Sequence, residues 1–238
     1  MEKKYIYGVL LSITAILSVI SFVFSVYLFA TKPKTSISVF DMCKDSVVEI
    51  KAETEDIGAS YGTGEIISKD GTLVTNAHVI TYTKLFNTTL FDTVYIRFVD
   101  EKDYREVDVV RYDLDLDIAV LKLDDDDKEI TPIKIGDDNK LSEGDVVYAI
   151  GNMSNYGLSL TKGIISIPHI NVSYNDVTRS VIQCDLTISD GSSGGALIDS
   201  QGELIGITTF RLKDNSNNVI YGIAYCIPIN VAMGYVAG

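Results

Sequence analysis

Two hydrophobic rhythms divide this chain. From Tyr5 to Ala30 the residues run without a single Asp, Glu, Lys or Arg, a stretch of 26 positions. Wound as a helix at ~1.5 Å per residue it reaches ~39 Å, more than the ~30 Å hydrocarbon core of a bilayer. After residue 35 the pattern becomes short runs rich in Val, Ile, Thr and Tyr, separated by Asp-Gly, Gly-Asp and Asn-rich stretches, the signature of strands and turns. A first set of strands is predicted at Val47–Ala52, Gly64–Ser68, Leu73–Thr75, Val94–Val99, Val107–Arg111, Ile118–Leu123 and Val146–Ile150. A second set follows at Leu158–Ile167, Val181–Cys184, Ala196–Ile198, Leu204–Phe210 and Tyr221–Ile227. With little amphipathic helical pattern between them, this rhythm predicts an all-β sandwich or barrel. Short helices are expected only at Ser36–Lys44, where Ile37, Val39, Phe40 and Cys43 recur at helical spacing, and from Pro228 through Val236. The organisation expected is a tail at 1–4, a transmembrane signal anchor at 5–30, a linker at 31–35 and one folded domain at 36–238.

Charge refines the picture of the apolar run. Lys3 and Lys4 precede it and Lys32 and Lys34 follow, so flanking charge leaves the orientation open. A cleaved signal peptide is the competing reading, but its apolar stretch is usually ~7–15 residues and ends in a small-x-small site. This run is longer, and Leu28-Phe29-Ala30 is a poor cleavage signal. The expectation is an uncleaved single-pass anchor in the cell membrane, its N-terminus inside and the folded domain extracytoplasmic. With Glu2 and the four flanking lysines set aside, 32 acidic and 16 basic residues remain, a formal charge of −16 on residues 35–238. Such a surface repels phosphate backbones and anionic headgroups, so nucleic acid is not an expected partner. The Asp124–Asp127 run reads as an exposed loop, lacking the glycine and distal glutamate of a calcium loop. Cys43, Cys184 and Cys226 stand at no metal-ligand spacing, and no metal or cofactor is expected. A Cys184–Cys226 disulfide is left open, beside the reading of all three as small buried apolar residues.

Candidate chemistry sits in three places. Asp190-Gly191-Ser192-Ser193-Gly194-Gly195 reads as a nucleophile turn, with glycines that allow a sharp bend and close approach of a substrate carbonyl. The amides of Gly191 and Ser193 are the candidate oxyanion donors. A serine hydroxyl needs an imidazole to take its proton and a carboxylate to orient that imidazole. Of the two histidines, His78 follows the strand Leu73–Thr75 and opens Ala-His-Val-Ile, which fits a helical turn; taken alone, a histidine there more often packs or caps. His169, in Ile167-Pro168-His169-Ile170, is expected in a surface loop. Of the acidic cluster Asp113, Asp115 and Asp117, only Asp117 abuts the apolar run Ile118–Leu123, so it is the one expected to be partly buried, with the other two facing solvent. The order His78, Asp117, Ser193, with gaps of 39 and 76 residues, suits a site between two similar halves and argues against subtilisin-like and α/β-hydrolase arrangements.

Four blocks carry a resemblance. They are Gly62-Thr63-Gly64-Glu65-Ile66-Ile67 leading to Thr75-Asn76-Ala77-His78-Val79; Asp117-Ile118-Ala119-Val120-Leu121-Lys122; Gly151-Asn152 followed by Leu160-Thr161-Lys162-Gly163-Ile164-Ile165-Ser166; and Gly191-Ser192-Ser193-Gly194-Gly195-Ala196-Leu197. A weaker fifth is Gly222–Ile229. In this order, over nearly all of the chain from about residue 40, they resemble a trypsin-like serine protease of the bacterial HtrA/Deg family. The resemblance implies two six-stranded antiparallel β-barrels, with His78 as general base, Asp117 as its orienting partner, Ser193 as nucleophile, and Gly191 and Ser193 amides as the oxyanion hole. Ser192 and Ala196 stand where the family usually has Asn and Pro. Neither side chain takes part in the chemistry, so activity is expected to survive. No room for a PDZ domain is expected after the Pro228 block.

The same resemblance implies unfolded or damaged exported polypeptides as substrates, and is compatible with a homotrimer that no residue here demands. Substrate-binding walls would be built from Thr187-Ile188-Ser189 and from Ile207-Thr208-Thr209-Phe210. With no charged residue in either, cleavage after small or aliphatic residues is expected. The alternative is a catalytically silent peptide-binding module on the same fold. A secreted glutamyl-type protease fits less well, because Gly-Ser-Gly-Gly stands where that group usually carries Gly-Ser-Gly-Ser.

Overall fold

The computed structural model describes residues 2–30, 36–124, 128–174, 177–213 and 219–238. The chain divides into two compact units, 1–34 and 35–238. In the first, α1 (Glu2–Ala30) is one helix, and the described side chains from Ile6 to Leu28 are exposed. That span of 23 residues has a mean hydropathy of 2.5 and measures about 34 Å, long and apolar enough to cross a membrane. The same segment also meets the description of a signal sequence. The expected linker at 31–35 and Asp125–Asp127 lie outside the described residues; Asp124 is exposed.

The second unit opens with α2 (Ser36–Cys43) and then builds its first barrel from β1 (Val47–Thr54), β2 (Gly58–Ile66) and β3 (Thr72–Thr75). The one-turn helix α3 (Ala77–Ile80) and a hairpin of β4 (Thr81–Lys84) and β5 (Asn87–Leu90) follow, then β6 (Thr93–Arg97), β7 (Arg105–Asp113) and β8 (Ile118–Lys122). These six strands close antiparallel in the order β1-β2-β3-β8-β7-β6, with β4–β5 as a separate two-stranded sheet. After β9 (Lys134–Ile135), the second barrel is made of β10 (Val146–Gly151), β11 (Ser159–Tyr174), β12 (Val177–Asp185), β13 (Ala196–Asp199), β14 (Glu203–Lys213) and β15 (Val219–Pro228). The pairing of β13 with β14 closes it into six strands, and β9 adds parallel to β14 outside the ring. Helix α4 (Ile229–Ala237) ends the chain, with Pro228 at its N-cap.

Alternation along the strands sorts apolar residues into three cores. Val48, Ile50, Ile66, Leu73 and Leu121 fill the first barrel, and Val147, Ala149, Ile165, Leu197 and Cys226 fill the second. A third cluster takes the outward faces of the same strands: Val47 and Val74 from one barrel, Tyr148, Ile150, Ala196 and Ile198 from the other, with Val39 of α2 and Ile229 of α4. Because side chains point alternately to opposite faces, β10 sends Val147 and Ala149 inward and Tyr148 and Ile150 to the seam. Strands buried on both faces read as continuous apolar runs, as Val147–Ile150 and Ile118–Leu121 do.

Two readings of the strands are corrected. Residues 168–174 and 177–180 are strand: β11 and β12 form a long ribbon with bulges between Ile165 and Ile170, and exposed His169 sits in β11, its Nε2 3.2 Å from the Asp138 carbonyl oxygen. The β4–β5 hairpin, rich in threonine and with little apolar alternation, was not among the predicted strands. The disulfide left open between Cys184 and Cys226 is not formed, and all three cysteines are buried, in line with the reading of them as small buried residues. Hydrogen bonding to Cys184, and then burial, push the Cys226 thiol well above its ordinary value.

One buried side chain is out of register with its chemistry. Glu65 pairs across the sheet with Val47 and Val74, both in the seam, and is 0% exposed. Neither of its carboxyl oxygens has a hydrogen-bond partner among the described residues. Burial therefore pushes its pKa well above 4.5. The folded chain holds this proton to a higher pH than the unfolded chain does. Stability is thus fully present below the unfolded value and is lost as pH rises from there toward the folded value. Glu65→Leu is expected to raise stability by about 1–3 kcal/mol at pH 8 and by less at pH 5, read from urea midpoints; a gain that does not change with pH would contradict the argument.

Candidate active site

The site lies along the seam, on three turns. β3 ends at Thr75 and Asn76 leads into α3, which carries His78 beside the barrel rim. Its ring Nδ1 lies 2.9 Å from each carboxylate oxygen of Asp117, and its backbone N–H donates to Oδ1 at 3.1 Å. The imidazole is half exposed while the carboxylate is buried. Asp117 occupies the left-handed region at φ 58°, which aspartate tolerates better than most residues. Two contacts hold that turn: Asp113 Oδ1 accepts the Leu116 N–H at 2.8 Å, and Asn76 Nδ2 donates to the Asp117 carbonyl at 2.9 Å. Asp115 is exposed, whereas Asp113 is half-buried and serves the turn.

Thr209 completes the carboxylate's surroundings. Its hydroxyl, on β14 of the other barrel, donates to Asp117 Oδ2 at 2.7 Å. Burial by itself pushes the Asp117 carboxyl up, yet the hydrogen bonds from His78 and Thr209 outweigh it and hold the group below its ordinary 3.8. With Nδ1–H donating to this carboxylate, the other ring nitrogen is left as an acceptor.

Ser193 lies on the opposite turn, its Oγ donating to the Thr209 carbonyl at 3.2 Å. The turn is fastened from behind. Thr63 N–H donates to the Ser193 carbonyl at 2.9 Å, and Thr63 Oγ1 donates to the Gly191 carbonyl at 2.8 Å. Thr208 Oγ1 donates to the Ser192 carbonyl, which also accepts from Gly195 N–H, while the Asp190 carbonyl accepts from Ser154 N–H at 2.7 Å. In a trans peptide the N–H points away from its carbonyl. The Gly191 and Ser193 N–H groups therefore face away from these anchors, and among the described residues neither meets an acceptor. Gly191 has φ 87°, and a Cβ there would stand 2.2 Å from the Asn152 oxygen. At Gly194, φ 79°, it would stand 2.2 Å from Thr63 O. Neither position accepts a side chain.

The other predicted wall residues divide. Ile188 is buried in the second barrel's core, Ile207 packs in the seam, and Thr208 commits its hydroxyl to the nucleophile turn. Thr187 is exposed, and its carbonyl accepts from Thr161 at 3.0 Å. Asp190 and Arg211, which directly follow the two wall segments in the chain, pair with each other at 2.8 Å.

Sequence reasoning missed the residues that fasten the site. Thr63 was quoted only within a motif, Thr209 only as a pocket wall, and Glu49 not at all. Glu49 Oε2 accepts from Arg97 at 2.6 Å and from Asn152 Nδ2 at 3.0 Å, and Asn152 Oδ1 accepts the Gly157 N–H at 2.9 Å. This network holds the 152–157 loop that supplies Ser154.

A model of the trypsin-like peptidase domain matches residues 62–207, enclosing all of these turns. The chain belongs to this family. It is of the HtrA type: the serine endoprotease DegS of Haemophilus influenzae is 37% identical over 174 residues, covering 73% of this chain and 48% of that protein. A probable periplasmic DegP-like serine endoprotease of Pseudomonas putida is 35% identical over the same length, covering 34% of its own chain. The chain thus spans between about a third and a half of these two curated relatives. Among solved structures, the HtrA-type protease AlgW with a tripeptide superposes with a TM-score of 0.74 at 28% identity, over 86% of this chain and 63% of that one.

Replacing the Thr209 hydroxyl tests the electrostatics directly. Thr209→Val is expected to lower stability by about 1–3 kcal/mol at pH 7 and to raise the Asp117 pKa. A carboxylate with a depressed folded pKa contributes stability above its unfolded value and loses it as pH falls through the folded value. The variant's acid unfolding should therefore begin at higher pH, as followed by circular dichroism; superimposable acid limbs would refute the assignment.

Proposed function

We propose that this trypsin-like domain is a serine endopeptidase that cleaves exported polypeptides outside the cytoplasm while tethered by α1. The observation that carries this reading is the imidazole of His78 held at 2.9 Å by buried Asp117, beside a serine turn with two uncommitted amides. In the proposed mechanism Ser193 Oγ leaves the Thr209 carbonyl, gives its proton to His78 and attacks the substrate carbonyl. Asp117 stabilises the imidazolium, with Thr209 supporting the carboxylate from the other barrel. The carbonyl oxygen becomes negative between Gly191 N–H and Ser193 N–H, a contribution typically worth about 3–4 kcal/mol per donor lost. His78 then protonates the leaving amine and afterwards activates water to release the acyl group.

Primary specificity is proposed for small or aliphatic side chains, because the wall segments 187–189 and 207–210 carry no charge and the charges that directly follow them, Asp190 and Arg211, are engaged with each other. With the full chain in detergent, a fluorophosphonate probe should label the protein and casein should be digested, and Ser193→Ala should lose both. The casein cut sites should follow small or aliphatic residues. Absence of Ser193-dependent labelling under every condition would favour the silent peptide-binding alternative, and cuts chiefly after charged residues would overturn the specificity.

The tether is the second part of the proposal. It rests on the length of the Ile6–Leu28 span and the poor cleavage signal at Leu28-Phe29-Ala30. A tagged N-terminus should remain with the domain in carbonate-washed membranes; a shortened soluble product lacking residues 5–30 would instead make α1 a leader.

A further inference from the structure

The hairpin directly after the His78 helix carries two unfavourable features on the same two residues. Strands β4 and β5 pair from Thr81–Leu90 to Lys84–Asn87, leaving Leu85 and Phe86 as a two-residue loop. Both have positive φ, 49° and 71°, the pattern of a type I′ turn that Asn-Gly fills most readily. Leucine and phenylalanine are strained there. They are also 84% and 99% exposed, so apolar surface is held in water by a backbone conformation that disfavours it. Strain retained in this way points toward a use.

The base of the hairpin is firmly fixed. The Tyr82 and Phe91 rings pack at 5.0 Å, Leu90 packs on the first barrel's core, and the Thr83 and Thr88 hydroxyls meet at 3.0 Å. Thr81 Oγ1 donates to the Ala77 carbonyl at 2.9 Å, tying β4 to the helix that bears His78. Thr81, Tyr82, Thr83 and Thr88 line a cavity of about 580 Å³ together with His78, Asp117, Thr209 and Phe210. The hairpin is therefore a wall of the cleft at the general base. Four residues of strand carry its tip about 13 Å out, the length of about four residues of extended polypeptide. Within a domain of charge −16, its only charged residue is Lys84.

We propose that Leu85 and Phe86 form a docking finger that engages an apolar side chain of an extended, unfolded polypeptide whose scissile bond lies at Ser193. The proposal rests on the endopeptidase reading. Its occupant follows from the hairpin's continuity with the cleft: a chain drawn through the cleft passes along this wall, and only an unfolded chain offers its apolar side chains in extended form. Binding at such a finger acts on substrate capture and leaves the reacting groups untouched, so it should appear in KM and not in kcat.

The test uses the full chain in nanodiscs of neutral lipid. The double substitution L85N/F86G installs the favoured turn pair and removes the apolar tip, so stability and capture should move in opposite directions. Its thermal midpoint should rise, its KM for reduced, carboxymethylated casein should rise about fivefold or more with kcat within about twofold, and its fluorophosphonate labelling rate should equal that of the unsubstituted chain. Because the chain contains no tryptophan, Phe86→Trp combined with Ser193→Ala adds a single reporter whose emission should shift to the blue when the casein is added. An unchanged KM together with unshifted emission would overturn the proposal. Quenching of the reporter by brominated lipid chains would also overturn it, by making the occupant the bilayer, and a shift driven by protein concentration alone would make the occupant a second copy. Failure of the unsubstituted chain to label would refute the endopeptidase reading separately, while the emission measurement would still report docking.

Discussion

Burial of the same strands on two faces is the constraint on which this molecule depends. β1, β3, β8, β10 and β13 each contribute alternate residues to a barrel interior and to the seam between barrels. A slip of one residue in any of them would exchange the two sets, putting seam residues such as Val47 and Ile150 into barrel interiors already filled by others. The register of each barrel is therefore specified by its partner as well as by itself. That mutual specification lets a site assembled from distant segments be held in one geometry.

Short polar side chains translate this rigidity into chemistry. Thr63 stands in the first barrel and reaches the nucleophile turn through its backbone and its hydroxyl; Thr209 stands in the second and reaches the carboxylate of the first. Each crosses the seam in the opposite direction. Thr75 Oγ1 in turn donates to the Thr63 carbonyl at 2.6 Å, so β3, which delivers His78, and β2, which fixes the serine turn, are joined. A short side chain loses little rotamer freedom on being fixed and leaves no slack in the geometry. Longer polar chains appear further out, where Glu49, Arg97 and Asn152 brace the loop behind Asp190.

How much of this was legible in the sequence depends on what each residue answers to. Strands with two apolar faces announced themselves as unbroken runs, and Asp117 was distinguished from Asp113 and Asp115 by its position against such a run. Gly191 and Gly194 were readable because turns of positive φ need them. The β4–β5 hairpin was not, since Thr83, Thr88 and Thr89 are exposed and give no apolar alternation to detect. Residues 168–173 and 177–180 hid for a related reason: this part of the β11–β12 ribbon has exposed or half-buried side chains, and bulges break its period. Thr209 was assigned to the substrate wall because the family resemblance implied it; only the crossing of the seam puts its hydroxyl on Asp117. Partnerships between residues 92 positions apart have no local signature.

Two of the buried carboxyl groups of the first barrel, Asp117 and Glu65, show how finely position decides charge. Asp117 and Glu65 are comparably shielded, at 6% and 0% exposure. Asp117 sits in a turn, where its left-handed backbone opens the side chain to the His78 ring, the His78 N–H and a hydroxyl from the other barrel. Its desolvation is offset by hydrogen bonds, and it stays ionised. Glu65 sits mid-sheet, where backbone donors are committed to the ladder and its cross-strand neighbours are valines. With no donor to meet it among the described residues, its carboxyl is driven toward the neutral form. An ionised Glu65 in the seam would stand as an uncompensated charge in the layer that sets the register of both barrels. The upward shift that burial imposes on Glu65 works against such a charge in the seam, and leaves Asp117 as the carboxylate held ionised beside the imidazole.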